Sequence, residues 1–129
     1  MLDFFAVNDI FLRDMGAAFT HIEPGKAVVE LELQEKHMSL VGRRHAHAGV
    51  LYTLAESASA AAFLAYGHTG YAVEGNITYM DAAESGRVIA TAKCKDAYGE
   101  ETAKIRVTVE TEDGRILARA NFISYYIGE

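Results

Sequence analysis

From Ala48 to Tyr66 the chain runs AGVLYTLAESASAAAFLAY, 19 residues whose apolar side chains cover most of a helical wheel. Ala, Leu and Phe dominate, which favours helix, and the breadth of the apolar surface predicts a buried helix rather than one laid on a surface. At ~1.5 Å per residue it would be roughly 28 Å long, most of the width of a small domain. Outside this stretch the hydrophobic period shortens to two. Between Ala27 and Gln34 one face carries Ala27, Val29, Leu31 and Leu33 and the other Val28, Glu30, Glu32 and Gln34, the pattern of a half-buried strand. Ala17 to Ile22 predicts a strand before it, joined through the turn Glu23-Pro24-Gly25-Lys26. Four strand-like runs follow the helix: Tyr71 to Met80, Arg87 to Lys95, Thr102 to Thr111 and Ile116 to Tyr126. Glu112-Asp113-Gly114-Arg115 is a hairpin turn between the last two. Phe4, Phe5, Val7, Ile10, Phe11 and Leu12 fall at helical spacing, which predicts one short amphipathic helix over 3–14, ended by Gly16. Residues 36–47 read as a loop.

Helix, two strands, long buried helix, four strands joined by short turns: this order predicts an α+β fold, an antiparallel sheet with the long helix on one face. With 129 residues the chain is long enough for a proper core and reads as a single domain over 1–129. A net charge of −6 argues against a broad nucleic-acid surface. The single cysteine, Cys94, allows no internal disulfide and fits a cytoplasmic location. In an alternating strand it is expected to be buried and inert. The N-terminus has acids early and no long apolar run, so it is not read as a signal peptide. The long helix carries Glu56 at its middle and is rich in Ala, so no membrane span is expected.

Two features of the helix point to chemistry. A carboxylate is costly to bury, so Glu56 needs a partner, a water-filled cleft or a proton. The helix entry, Arg44-His45-Ala46-His47-Ala48-Gly49, has no Ser, Thr, Asp or Asn to cap it. Its first N–H groups are therefore candidates to receive something else, such as a polarised carbonyl oxygen. Before the entry lie Lys36, His37, Arg43, Arg44, His45 and His47. Arg43 and Arg44 are candidates for phosphate contacts. His45 and His47 alternate as metal ligands can, but no carboxylate or cysteine lies close to them in sequence, and no metal or other cofactor is expected. Lys93, Lys95, Lys104 and Arg106 read as solvent-facing strand charges. Tyr98, Tyr125 and Tyr126 are candidates for an outward interface. Ser57 and Ser59 lack a nearby base and do not read as nucleophiles.

With these residues in place, the chain resembles the hotdog fold, a curved antiparallel sheet around one long central helix, and is similar to the PaaI-like acyl-CoA thioesterases of that superfamily. The resemblance rests on His47-Ala48-Gly49 at the helix start, on Glu56 nine positions after His47, and on Asn76-Ile77-Thr78-Tyr79-Met80 followed by Ala83 and Gly86. It spans roughly residues 15–126. It implies hydrolysis of an acyl-CoA to acid and coenzyme A without a cofactor. Glu56 would be base or nucleophile, a backbone N–H of Ala48 or Gly49 would receive the oxyanion, and His47 would position the thioester or loop. Arg43, Arg44 and Asn76 are the candidate substrate contacts. Ala48 stands where the family has a first Gly, Val41 where it often has Asn, and Ala72 where a Ser or Thr is common.

Spacing adds a constraint of its own. Ala48 and Glu56 are eight residues apart on one helix, a rise of about 12 Å, whereas catalytic groups lie ~3 Å from the reacting atoms. The two cannot serve one carbonyl from a single chain. The resemblance implies the same arrangement, with sites at a two-fold dimer interface, in a homodimer or a dimer of dimers. Two other readings stay open. One is a non-catalytic module that binds acyl-CoA, which the residues at Val41 and Ala72 keep in view. The other is a hotdog hydratase or dehydratase, whose acid follows the glycine of its Pro-Gly-Val-Leu segment by five; here Glu56 follows Gly49 by seven, with no Pro before it.

Overall fold

The computed structural model describes residues 1–97 and 99–128; the interface expectation for Tyr98 lies outside them. Two N-terminal helices, α1 (Leu2–Asn8) and α2 (Ile10–Met15), lead into β1 (Ala18–Glu23) and β2 (Lys26–Glu32). A 3-10 turn (Glu35–His37) and two short strands, β3 (Met38–Ser39) and β4 (His45–Ala46), precede the long helix α3 (Ala48–Leu64). Then come β5 (Thr69–Tyr79), β6 (Arg87–Cys94), β7 (Thr102–Thr111) and β8 (Ile116–Gly128). Six strands form one antiparallel sheet in the order β1-β2-β6-β7-β8-β5. All six touch α3, so the α+β fold expected from the pattern is observed, in the hotdog arrangement that the resemblance implies.

Alternation explains the packing. Ala27, Val29 and Leu31 on β2, Val88, Ala90 and Ala92 on β6, and Ile105, Val107 and Val109 on β7 are buried. They meet Leu51, Leu54, Ala55, Ala58, Ala61 and Ala62 of α3 in one core. Small residues dominate both surfaces, so the helix lies close on the sheet. Lys93, Lys95, Lys104 and Arg106 are exposed, as expected of the outer face.

Four expectations need correction. The helix over 3–14 is two helices. Asp9 leaves helical geometry (φ −85°, ψ 78°), and its side chain accepts the Leu12 N–H to start α2. The loop over 36–47 contains ordered pieces, and His37 within it is buried: its Nδ1 accepts from the Gln34 N–H (2.9 Å) and its Nε2 lies 2.7 Å from the Met15 carbonyl. That histidine is structural. Tyr126 does not face outward with Tyr125, because neighbours on a strand point to opposite sides; its ring lies 4.8 Å from that of Phe63. Finally, α3 is not buried all round. Gly49 is exposed and Thr53, Glu56, Ala60 and Leu64 are half-exposed, forming an open stripe away from the core. Among the described residues no helix is long and apolar enough to cross a membrane.

Candidate functional site

The open stripe of α3 carries Glu56, and its surroundings are unusual for a structural acid. Among the described residues its carboxylate has no hydrogen-bond or ion-pair partner. A charge left half-buried without a partner binds its proton more tightly. Burial raises the Glu56 carboxyl above the usual carboxylate range, and the negative charge of Asp9 raises it further. Such a group becomes a better base once ionised.

The other candidates gather at the N-terminus of the same helix. His47 caps it: the Gly49 N–H donates to His47 Nδ1 over 2.8 Å, and the Val50 N–H donates to the His47 carbonyl over 2.9 Å. The expectation of an uncapped entry is thus corrected. Histidine is not among the ordinary capping residues, yet an unprotonated ring nitrogen accepts as an oxygen does. The bond makes Nδ1 the accepting nitrogen of the ring. The absence of a side chain at Gly49 lets the imidazole sit this close, since a Cβ there would lie 3.0 Å from His47 Nδ1 and press the ring away. Ala48 sits in the exposed first turn, and none of the described residues accepts its N–H. Of the first donors of α3, this one remains available.

Around that turn two side chains hold the backbone. The Tyr79 hydroxyl, at the end of β5, donates to the Ala48 carbonyl over 3.1 Å, and Thr53 Oγ1 donates to the Gly49 carbonyl over 2.8 Å. In the sequence Tyr79 is legible as a strand residue within the segment that carries the resemblance; its reach back to Ala48 depends on how β5 runs beside α3.

Arg43 and Arg44 lie on the exposed loop before β4, each already in an ion pair: Arg43 Nε to Glu84 at 3.2 Å, Arg44 to Glu35 at 2.7 Å. Asn76 is exposed on β5, opposite Asn121 of β8. Its neighbours Gly75 and Ile77 turn toward the helix side, since a Cβ on Gly75 would strike Tyr52 and Phe122 and Ile77 packs on the core. Within one chain, therefore, Asn76 points to the far side of the sheet from Glu56. Val41 is 84% exposed, and its N–H is held by Ser39 Oγ at 3.2 Å. The structure brings His47, Ala48 and Gly49 together, leaves Glu56 two turns further along the same helix, and keeps Arg43, Arg44 and Asn76 peripheral within a single chain.

Other chemistries find less support. No group of three or more His, Cys, Asp or Glu that could hold a metal occurs among the described residues. The Cys94 thiol is pushed up to about 11 by burial and then by the charge of Asp96, so at neutral pH it is not a thiolate nucleophile. Ser57 donates to Asp9 Oδ2 over 2.7 Å rather than to a base that would activate it.

Comparison with known proteins speaks to the family and the fold. A family model described as the thioesterase superfamily matches residues 44–118, which include the helix entry, Glu56 and most of the sheet. The phenylacetic acid degradation protein PaaI of Thermus thermophilus, solved as a point mutant, is 33% identical; the match covers 91% of this chain and 98% of that one, with a TM-score of 0.82. PaaI of the E. coli phenylacetic acid degradation operon is 24% identical, covering 98% of this chain and 90% of that one at a TM-score of 0.88. A hypothetical thioesterase of Streptococcus pneumoniae, solved with coenzyme A, is 21% identical and covers 100% of this chain and 98% of that one at a TM-score of 0.85.

Proposed function

The chain belongs to the thioesterase superfamily, and from that premise we propose that it hydrolyses acyl-CoA thioesters to the free acid and coenzyme A. The observation that carries the reading is Glu56, an unpartnered carboxylate on the open stripe of α3 whose proton is held tightly. Deprotonated, it removes a proton from water as the water attacks the thioester carbonyl; the C–S bond then breaks as the carbonyl re-forms, and the departing coenzyme A thiolate takes up that proton. Alternatively it attacks the carbonyl itself, expelling the thiolate to give an anhydride that water then opens. Either route places negative charge on the carbonyl oxygen. The Ala48 N–H, backed by the dipole of α3, is the donor assigned to receive it. His47 and Gly49 hold that turn in shape.

Because Glu56 and Ala48 are separated by a rise of about 12 Å on one helix, the donor and the acid at each site come from two copies of the chain. Strand β5 supports a two-fold pairing. It is a sheet edge, and Tyr71 and Val73 on it and Met80 just past it are more than half exposed. Edges with uncovered apolar side chains invite another chain. Arg43, Arg44 and Asn76 are assigned to the rim that meets the coenzyme A moiety, in a homodimer or a dimer of dimers. The coenzyme A found with the Streptococcus pneumoniae structure is consistent with that substrate class.

The test is thiol release from a panel of acyl-CoAs by wild type and Glu56→Gln. A folded mutant slower by about 100-fold or more is expected. Equal rates in the two proteins would remove Glu56 from the mechanism. Tight acyl-CoA binding without turnover in wild type would favour a binding module instead.

A further inference from the structure

The N-terminal arm formed by α1 and α2 is fastened to the fold at several points, and one of them lies beside Glu56. The Phe5 ring packs 5.6 Å from that of Phe19 on β1, Leu12 is buried, and the Met15 carbonyl meets His37 Nε2 at 2.7 Å. Between these anchors sits Asp9. One carboxylate oxygen accepts the Leu12 N–H over 3.2 Å and starts α2; the other accepts the Ser57 hydroxyl over 2.7 Å. Ser57 is buried and directly follows Glu56.

We propose that Asp9 is a positioning residue for the Glu56 carboxylate: it pins the α1–α2 arm to the turn of α3 that carries Glu56 and sets a second negative charge against it. The proposal rests on the hydrolytic reading of Glu56. The hydrogen bond to Ser57 holds the Asp9 charge beside this turn, where it opposes ionisation of the acid and so strengthens it as a base. Other charges are turned elsewhere. Arg13 of the arm is taken up by Asp14 at 3.7 Å and by the Val7 carbonyl. Lys93, Lys104 and Arg106 lie on the outer face of the sheet. Among the described residues Asp9 is the charged group whose field reaches Glu56.

Asp9→Asn separates charge from scaffold. The amide oxygen still caps α2, since Asn is as good a cap as Asp, and the NH2 that takes the place of Oδ2 donates to the Ser57 hydroxyl, so the tether is kept with its direction reversed. The measurement is the 13C NMR titration of the Glu56 side-chain carboxyl in wild type and Asp9→Asn, with the pH profile of kcat/KM alongside. The midpoint is expected at lower pH in the mutant, with the acid limb of the profile displaced in the same direction. An unchanged midpoint overturns the proposal. Ser57→Ala tests the tether: it is expected to speed proteolytic cleavage within the arm and to lower kcat about 3- to 10-fold, the scale of a small loss of orientation. Wild-type values for both would overturn the positioning role. The titration needs no turnover, so if Glu56→Gln proves as active as wild type, the hydrolytic reading falls while the influence of Asp9 on Glu56 is still measured.

Discussion

Strands β7 and β5 belong to one sheet, separated by β8, and they meet water in opposite ways. On β7 burial alternates: Ala103, Ile105, Val107 and Val109 are closed off while Thr102, Lys104 and Arg106 face out. On β5 nearly every residue is accessible, including Tyr71 at 58% and Val73 at 54%. The difference is one of place rather than composition. An inner strand has hydrogen-bonded neighbours on both edges and a helix on one face, whereas β5 has a neighbour on one edge and meets α3 beside its open stripe. The same contrast divides α3, whose Leu54 and Ala58 are fully buried while Glu56 and Ala60 face the open side. What holds the chain together and what the proposed reaction would use lie on opposite sides of one helix.

The largest expected effects come from placing the same charge on each strand. Val107→Asp buries an unpaired carboxylate at a position 2% exposed, which costs several kcal/mol, on the order of the whole stability of such a domain. It is expected to abolish the cooperative melting transition. Val73→Asp is expected to leave the melt of the single chain intact while halving the mass seen by light scattering and lowering thioester hydrolysis by about 100-fold, because each proposed site draws on two copies. A Val73→Asp protein with full mass and full activity would show that β5 is not the shared edge.

A smaller effect is expected at the helix entry, where the open side begins. Gly49→Ala sets a methyl group against His47 Nδ1. The imidazole can swing away, so the helix loses its cap, a cost of about 1 kcal/mol that the better helix propensity of Ala partly offsets. Stability should therefore change little while hydrolysis falls roughly 10-fold, through a displaced first turn. Ala48→Gly, at an exposed position, should stay within about two-fold of wild type. Equal rates for all three proteins would reduce His47 to a cap with no bearing on catalysis.

The long helix and the strands are legible in the sequence because burial writes itself into the chain at periods of 3.6 and two residues. Glu56 is legible for the opposite reason, as the one carboxylate inside an apolar run. Features made by contact across the fold leave no such trace. Asp9 and Ser57 are 48 residues apart, and nothing in either segment announces the other. Asp9 reads as one polar residue in a helical pattern, although it breaks that pattern by capping the next helix. His47 escapes notice as a cap because capping is usually sought in side-chain oxygens, and the reach of Tyr79 to Ala48 depends on the course of β5.

The smallest effect is one of sign. Most carboxylates that matter to a fold are held ionised: Asp81 is kept below its usual range chiefly by Arg115 and also by the Ala82 N–H, so it contributes stability above the unfolded carboxylate pKa and loses it as pH falls. Glu56 is the reverse. Its folded proton affinity exceeds its unfolded one, so its contribution is complete below the unfolded value of about 4.3 and disappears as pH rises through the folded value. Above that window the ionised Glu56 is a burden on the fold. Glu56→Gln should therefore melt within error of wild type near pH 4 and higher than wild type at pH 8, by roughly 1–3 °C for a domain of this size, while Asp81→Asn should melt lower at pH 8. Opposite signs from two carboxylates of one chain would mark the open stripe of α3 as a place where stability is given up for chemistry. A Glu56→Gln protein that melts lower than wild type at pH 8 would mean that the carboxylate has a stabilising partner, and the contrast between the two sides of the helix would no longer hold.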